Sequence, residues 1–242
     1  PQLDRGARRA RSRWRPWAGG SAALLLIVGI AVAWVLPASD EGTVELVPLF
    51  QDNFDAGEGW YEYSDDTATL GYDQGRYHIS VKRPDHQAIS DTALRGPTYG
   101  FPLTGLADVS VQVSVRAPSG TGLFGVTCRQ APETAAYYEG LVGTDGAAQI
   151  AKYDGGTFTT VARGRVSPRD PGQSTRVRLD CVGPPDSTTV TLFVDGRQAV
   201  TASDDNALPR GSIGLAAASG PAPSTDAFFD DLAVFSRPVD RS

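Results

Sequence analysis

Several residue types that carry common enzyme chemistry are scarce in this chain. Its 242 residues include two histidines, two cysteines and no methionine. The histidines, His78 and His86, lie in a strand-like segment and in a polar loop, so they do not form a metal cluster. A Gly-x-Ser-x-Gly motif, a Cys/His nucleophile pair and a phosphate-binding loop are absent. The sequence therefore gives no support for a metalloenzyme, a serine or thiol hydrolase, or a nucleotide-binding enzyme.

One long apolar run stands out near the N-terminus. Residues 18–36 (AGGSAALLLIVGIAVAWVL) carry no charge, and as a helix they would span about 28 Å, close to the roughly 30 Å core of a bilayer. Six arginines precede the run, and no basic residue follows it until Arg76. Because basic residues favour the cytoplasmic side, the sequence predicts a cytoplasmic basic tail at 1–16, a transmembrane helix at 17–36 and an extracytoplasmic remainder.

Two other interpretations of this run stay open: a cleaved signal peptide and a buried helix of a soluble domain. A signal peptide usually has an apolar region of only about 7–15 residues followed by a small-residue cleavage site, and Pro37 makes such a site poor here. No cysteine follows the run directly, which excludes lipoprotein processing. Because the chain starts at Pro1 and holds no methionine, we expect a natural start and an upstream cytoplasmic region before it.

Charge divides the chain into two unequal parts. The first 36 residues hold six arginines and one acid, whereas the remainder holds 16 basic and 27 acidic residues, a net charge of −11. An acidic domain argues against nucleic acid or anionic lipid as its partner. The preference for arginine over lysine, with abundant alanine, glycine and proline, is typical of GC-rich bacteria such as actinomycetes.

The region after the run has the pattern of an all-β domain. In residues 108–117 (DVSVQVSVRA), valines alternate strictly with polar residues, which is the period of a half-buried strand. Similar alternation occurs at 76–82, 176–182, 188–194 and 228–235, and Asp-Gly turns separate several of these segments. The sequence therefore predicts a short tether at 37–48, one sandwich domain of roughly a dozen strands at 49–237 and a tail at 238–242.

The two cysteines fall on segments of this strand pattern. Cys128 shares a face with Phe124 and Val126, and Cys181 shares a face with Val177 and Leu179. Both side chains should therefore point into the core, where a disulfide would close a loop of 53 residues and stabilise the fold by about 3–4 kcal/mol. The alternative is a pair of buried free thiols.

Several short motifs follow one another in a characteristic order. They are FQDNFD at 50–55 with Gly-Trp at 59–60, GRYHISV at 75–81, FGVTCR at 124–129, VDG at 194–196, GSIGL at 211–215 and FFDDLAVF at 228–235. Their order and spacing resemble the concanavalin A-like (laminin-G-like) family, which includes lectins, glucanases and 3-keto-disaccharide hydrolases. The middle of this series, FGVTCR followed by Tyr137-Tyr138 and Asp145-Gly146, is similar to the middle of such ectodomains in actinobacterial membrane proteins.

The resemblance implies a two-sheet antiparallel jelly-roll sandwich with a concave face, and often a carbohydrate ligand. Members of the family often hold one structural calcium ion near the first and last strands, and no other cofactor is expected. The resemblance therefore makes four aspartates candidate calcium ligands: Asp52, Asp55, Asp230 and Asp231. The alternative is that these aspartates cap turns and protect edge strands.

The carboxylate pattern argues against catalysis. Glucanases of this family carry a Glu-x-Asp-x-Glu run on one strand, and this chain has no such run. A glycosidase needs two carboxylates about 5–9.5 Å apart across a cleft. Glu139 and Asp180 could face each other on neighbouring strands, but solvated carboxylates, or salt bridges to Arg129 or Arg178, are the simpler interpretation. We therefore predict that the domain is not an enzyme.

Five residues are candidates for a ligand-binding face, because the alternation turns them outward on central strands: Arg129, Tyr137, Glu139, Arg178 and Asp180. Sugars stack on aromatic rings and hydrogen-bond to arginine and carboxylate groups. The sequence thus predicts a membrane-anchored extracytoplasmic binding or sensor module for a glycan or cell-envelope ligand. Two alternatives are a tethered glycoside-active enzyme and an adhesion or structural module with a protein partner.

Overall fold

The computed structural model describes the predicted sandwich domain and leaves the N-terminal segments aside. The described residues are 46–91, 105–106, 108–119, 121–131, 133–184, 186–221 and 224–236. In these ranges, no helix is long and apolar enough to cross a membrane. The predicted tail 1–16, the predicted transmembrane helix 17–36, most of the tether and the tail 238–242 lie outside the described residues.

All the regular secondary structure in the described ranges is β-strand, as the alternating pattern predicts. The strands are β1 (Val47–Asp52), β2 (Tyr63–Ser64), β3 (Ala68–Asp73), β4 (Arg76–Val81), β5 (Gln87–Asp91), β6 (Val109–Ser119), β7 (Leu123–Ala131), β8 (Ala136–Gly143), β9 (Ala147–Tyr153), β10 (Phe158–Arg165), β11 (Ser174–Val182), β12 (Thr188–Val194), β13 (Arg197–Asp204), β14 (Ser212–Ala218) and β15 (Thr225–Ser236).

The strands form two antiparallel sheets. A nine-stranded sheet has the order β13-β12-β11-β6-β15-β4-β3-β2, with β1 paired to β15 beside β4. A six-stranded sheet has the order β10-β9-β8-β7-β14-β5. The many non-consecutive neighbours, such as β6 beside β15, mean that the chain crosses repeatedly between the two sheets. This arrangement confirms the prediction of a two-sheet antiparallel sandwich.

The alternating valines explain why the two sheets pack face to face. On β6, Val109, Val111, Val113 and Val115 are fully buried, whereas Gln112 between them is only half-buried. Because successive side chains of a strand point to opposite faces, each such strand presents one apolar face to the other sheet. Matching alternation occurs in β4, β11 and β12, as predicted. The outer faces of the sheets are therefore where a polar site can form.

A disulfide joins the two sheets through the core. Cys128 on β7 of the six-stranded sheet is bonded to Cys181 on β11 of the nine-stranded sheet, and both are fully buried. Their Cα atoms are 6.6 Å apart. This bond confirms the predicted pairing, and it closes a loop that contains β8, β9 and β10.

Removal of the disulfide should destabilise the domain without changing its fold. The bond restricts the unfolded chain over a sequence separation of 53 residues, which the loop-entropy model values at about 4 kcal/mol. We expect a Cys128→Ala/Cys181→Ala double variant to lose about that free energy of unfolding, as measured by urea denaturation of the full chain. A variant as stable as the oxidised wild type would contradict this prediction, and reduced wild type serves as the control.

Candidate functional site

The five predicted ligand-binding residues do not come together in one place. Tyr137 and Glu139 lie on β8, on the outer face of the six-stranded sheet, whereas Arg178 and Asp180 lie on β11, on the outer face of the nine-stranded sheet. Arg129 lies at an irregularity near the end of β7. The suggestion that Glu139 and Asp180 face each other on neighbouring strands is therefore wrong, since the two sheets separate them.

Arg129 is a structural residue rather than an outward one. Its side chain is 1% exposed, and its guanidinium donates to the carbonyl oxygens of Leu208 at 2.9 Å and Gly183 at 2.5 Å. Burial lowers the pKa of this side chain. The alternation predicted an outward position, but a β-bulge between Cys128 and Ala131 breaks the period, and Arg129 has a φ of 49°.

Glu139 is the most unusual carboxyl group of the six-stranded sheet. It is fully buried, its Oε2 accepts a hydrogen bond from the Gln87 amide, and its Oε1 has no hydrogen-bond partner. Burial raises the pKa of Glu139 to about 7, with the Gln87 hydrogen bond opposing the rise. Tyr137, on the same face, packs against Tyr153 with ring centroids 5.5 Å apart. Tyr137 and Glu139 point away from the core, as predicted, but they are only 9% and 0% exposed.

Arg178 and Asp180 form the ion pair that the sequence suggested as the simpler interpretation. The Nε atom of Arg178 lies 3.1 Å from Oδ1 of Asp180, which also accepts a 2.7 Å hydrogen bond from Ser110. The guanidinium of Arg178 lies over the Phe193 ring, 3.9 Å from its centroid. Asp180 is buried and Arg178 is half-buried, so this pair makes its contacts within the outer face of the nine-stranded sheet.

The four aspartates proposed as calcium ligands are used in other ways. In the part of the chain that the structure describes, no group of three or more His, Cys, Asp or Glu side chains is arranged to hold a metal ion. Asp52 accepts hydrogen bonds from the Trp60 indole at 2.9 Å and from the Phe54 backbone at 2.7 Å. Asp55 accepts a 2.6 Å hydrogen bond from Asn53. These bonds fit the turn-capping interpretation.

The other two aspartates, Asp230 and Asp231, line an open cleft on the outer face of the nine-stranded sheet. The cleft has a volume of about 150 Å³. Strands β4, β6, β11 and β15 supply its lining, and adjacent strands place these side chains in neighbouring rows. The lining residues are Arg76, Ser114, Arg116, Ser174, Phe228, Asp230 and Asp231.

The Phe228 ring forms the apolar part of the cleft and is held by its neighbours. His78 on β4 stacks on it with ring centroids 4.3 Å apart and an interplanar angle of 6°. The Arg76 guanidinium carbon lies 4.9 Å from the ring centroid, which is a cation–π contact. Nε2 of His78 lies 3.1 Å from a carboxylate oxygen of Asp226, and this fixes the imidazole in turn.

Polar groups occupy the rest of the cleft. The Nε of Arg116 donates to the Gly172 carbonyl at 3.1 Å, which leaves its two terminal nitrogens for other partners. Ser114 donates to Asp231 at 3.2 Å, and the Asp231 backbone N–H donates to the Asp230 carboxylate at 2.8 Å. The pKa of Asp230 is raised, chiefly by burial and further by the neighbouring carboxylates. The cleft thus combines an aromatic ring, two guanidinium groups and two carboxylates.

Sequence reasoning overlooked this cleft, although one signal was present. In a strand, consecutive side chains point to opposite faces, so one of Phe228 and Phe229 must point away from the core. Phe229 is fully buried and Phe228 is half-buried on the outer face. The contributions of β4, β6 and β11 could not be predicted, because they depend on which strands become neighbours.

Asp52 should support the fold without calcium. Replacing Asp52 with alanine leaves the indole N–H of Trp60, which is 1% exposed, without its acceptor, and we expect a loss of about 2–3 kcal/mol in the free energy of unfolding. Millimolar calcium should change neither wild type nor variant in thermal unfolding. Asp55→Ala, at an exposed position, is the control and should cost little; stabilisation of wild type by calcium that both variants abolish would contradict this prediction.

Glu139 should make stability depend on pH. Since the pKa of its carboxyl rises from 4.5 to about 7 on folding, its stabilising contribution is full below about pH 4.5 and is lost as the pH rises to about 7. A Glu139→Gln variant should therefore equal wild type near pH 4 and exceed it by about 3 kcal/mol near pH 8, in urea denaturation. The exposed Glu133→Gln is the matched control, and parallel pH profiles of E139Q and wild type would disprove the expectation.

Comparisons with known proteins identify the fold. No protein-family model and no curated protein sequence matches the chain. Carbohydrate-binding module CBM66 from Bacillus subtilis is 15% identical with a TM-score of 0.54, covering 74% of this chain and 96% of that one. A Bacillus subtilis protein with a galectin-like fold is 16% identical with a TM-score of 0.57, covering 79% and 98%.

The Bacillus licheniformis β-glucanase is similar as well, with 14% identity, a TM-score of 0.51 and coverage of 78% of this chain and 98% of that one. At such identities the likeness shows the fold alone, because the same sandwich carries unrelated sites. The described domain is therefore a two-sheet antiparallel jelly-roll sandwich.

Proposed function

We propose that this protein is a membrane-anchored, extracytoplasmic glycan-binding module without catalytic activity, and that the cleft around Phe228 is its binding site. The observation that carries the proposal is the composition of this cleft: one fixed aromatic ring flanked by arginine and aspartate side chains on an open face. Such a combination matches a sugar better than it matches an apolar ligand or a nucleic acid.

The chemistry of a sugar ring fits these groups one by one. The C–H face of a pyranose packs on an aromatic ring, while its hydroxyls donate to carboxylates and accept from guanidinium groups. Phe228 supplies the ring, Asp230 and Asp231 supply acceptors, and Arg76 and Arg116 supply donors. A volume of about 150 Å³ is small for a ligand pocket, so the cleft would take one sugar unit, at the end or along the side of a polymer.

Three further observations support a binding role over hydrolysis. CBM66 from Bacillus subtilis, whose fold is similar, is a carbohydrate-binding module, although the β-glucanase shows that the fold also serves enzymes. Asp230 and Asp231 are consecutive residues of one strand, whereas glycosidases place two carboxylates on either side of the scissile bond. The raised pKa of Glu139 arises from burial, with no contribution from a second carboxylate.

The proposed location rests on the sequence and on the disulfide. The apolar run at 17–36 with its preceding arginines favours an anchor with the domain outside the cytoplasm. The Cys128–Cys181 bond supports a location outside the cytoplasm, because disulfides persist in oxidising compartments. The order of the motifs at 50–235 resembles that of laminin-G-like and 3-keto-disaccharide-hydrolase-like ectodomains of actinobacterial membrane proteins. We include this resemblance in the proposal.

Phe228→Ala tests the proposed site. We expect the full chain in detergent micelles to bind a subset of an envelope-polysaccharide and glycan panel, and the variant to bind those glycans at least tenfold more weakly, since it loses the aromatic platform. Isothermal titration calorimetry measures the affinities, and circular dichroism checks the fold.

Phe158→Ala is the matched control, because Phe158 is an exposed phenylalanine on β10 of the other sheet. It should bind like wild type. Absence of binding to every glycan, or equal binding by both variants and wild type, would refute the proposed site.

A further inference from the structure

Among the described residues, no carboxylate lies within salt-bridge distance of the Arg116 guanidinium. Arg83, Arg169 and Arg178 each have an aspartate within salt-bridge distance. The Nε of Arg116 donates to the Gly172 carbonyl, whereas Arg76 contacts the Phe228 ring and lies close enough to Asp230 to oppose the rise in the pKa of that carboxyl. Arg116 therefore faces the cleft with hydrogen-bond donors that remain available for a ligand.

A hydrogen bond to the backbone holds the Arg116 side chain in one orientation. Its Nε–H is occupied by the Gly172 carbonyl at 3.1 Å, so the guanidinium plane is held by the backbone while both terminal nitrogens remain available. A guanidinium group fixed in this way suits a planar anion, because it can give two parallel hydrogen bonds to one carboxylate. A neutral hydroxyl group gains little from the charge or the planarity of the guanidinium group.

We infer that the sugar recognised by this cleft carries a carboxylate, which makes the ligand class a uronic acid-containing glycan; this inference rests on the proposed function. The carboxylate lies at the Arg116 end of the cleft and accepts hydrogen bonds from its terminal nitrogens. The hydroxyls lie at the other end and donate to Asp230 and Asp231. The C–H face of the ring packs on Phe228.

The register of the sheet separates Arg116 from Asp230. Ser174, Arg116 and Phe228 lie in one row across β11, β6 and β15, and Ser114 and Asp230 lie in the row two residues further along. Two residues of a strand span about 7 Å. A hexuronic acid has a matching polarity, since its carboxylate is attached at C5 and its C2 and C3 hydroxyls lie across the ring.

The overall charge of the domain does not favour an acidic ligand, so the affinity must come from local contacts in the cleft. The chain after residue 36 has a net charge of −11, so a polyanion is repelled at long range and must be held by the local arginines. Binding should therefore depend on the shape of the carboxylated sugar. A polyanion without carboxylates, such as dextran sulfate, should not substitute for it.

The decisive experiment compares one polymer with and without its carboxylates. The full chain in detergent micelles is titrated with polygalacturonate and with alginate, and then with the same polymers after reduction of their carboxyl groups to alcohols. We expect saturable binding to at least one of the acidic polymers, and at least tenfold weaker binding after reduction. Dextran sulfate should give no saturable binding.

Arg116→Gln and Arg116→Lys assign the effect to the guanidinium group. Both variants should bind the acidic polymer at least tenfold more weakly, because a glutamine loses the charge and a lysine keeps the charge but not the two-point hydrogen bonding. Arg163→Gln removes an exposed arginine from β10 of the other sheet and should bind like wild type. The wild-type comparison of polymers needs no variant, so a folding failure of either Arg116 variant leaves the test intact.

The outcomes separate the inference from the proposed function. Equal binding to the acidic and reduced polymers, or binding to neutral glycans alone, would overturn the inference and leave a glycan-binding module. Binding to dextran sulfate as strong as to the uronates would overturn it as general polyanion attraction. Absence of binding to any glycan would overturn the proposed function itself.

Discussion

The nine-stranded sheet and its cleft depend on the pairing of β15. This strand pairs with β6 along one side and with β4 and then β1 along the other. The register opposite β6 shifts between Asp230 and Ala233, and Asp231 has a φ of 49° at that shift. Consecutive residues of a regular strand point to opposite faces, so this bulge is what allows Asp230 and Asp231 to line the same cleft. Beyond it the alternation resumes, and Leu232 is buried.

The sequence was sufficient to predict what repeats with a period of two. The valines of β6 identified both a strand and its buried face, and Cys128 and Cys181 could be paired because each shares a face with apolar neighbours. The same rule failed wherever the period was interrupted. Arg129 follows Cys128 at a bulge, so its side chain turns to the carbonyls of Gly183 and Leu208 instead of to solvent. A bulge leaves no clear mark in the composition of a strand.

The positions of Glu139 and Asp180 show a second limit. Both were correctly expected on the faces that point away from the core, but period two does not say which sheet a strand joins. Strand β8 pairs with β7 and β9, and β11 pairs with β6 and β12, so the two acids lie on opposite outer surfaces. Their environments differ accordingly: Asp180 is neutralised by Arg178, whereas Glu139 is buried with only an amide donor. Sheet membership is a non-local property, and it decides whether two side chains form a site.

The arrangement of charges in the cleft also bears on how one fold can serve recognition or hydrolysis. A hydrolase needs acids on both sides of its substrate, one to protonate the leaving oxygen and one to act on the ring. Here both cleft aspartates lie on one strand, and the bulge of β15 turns both side chains into the cleft. Across from them, β6 and β11 contribute Arg116 and Ser174, which donate hydrogen bonds and cannot act as the second carboxylate. A ligand between acceptors on one side and donors on the other is oriented by its hydrogen bonds, and no bond in it is flanked by two acids. This arrangement of charges supports the binding role that we propose.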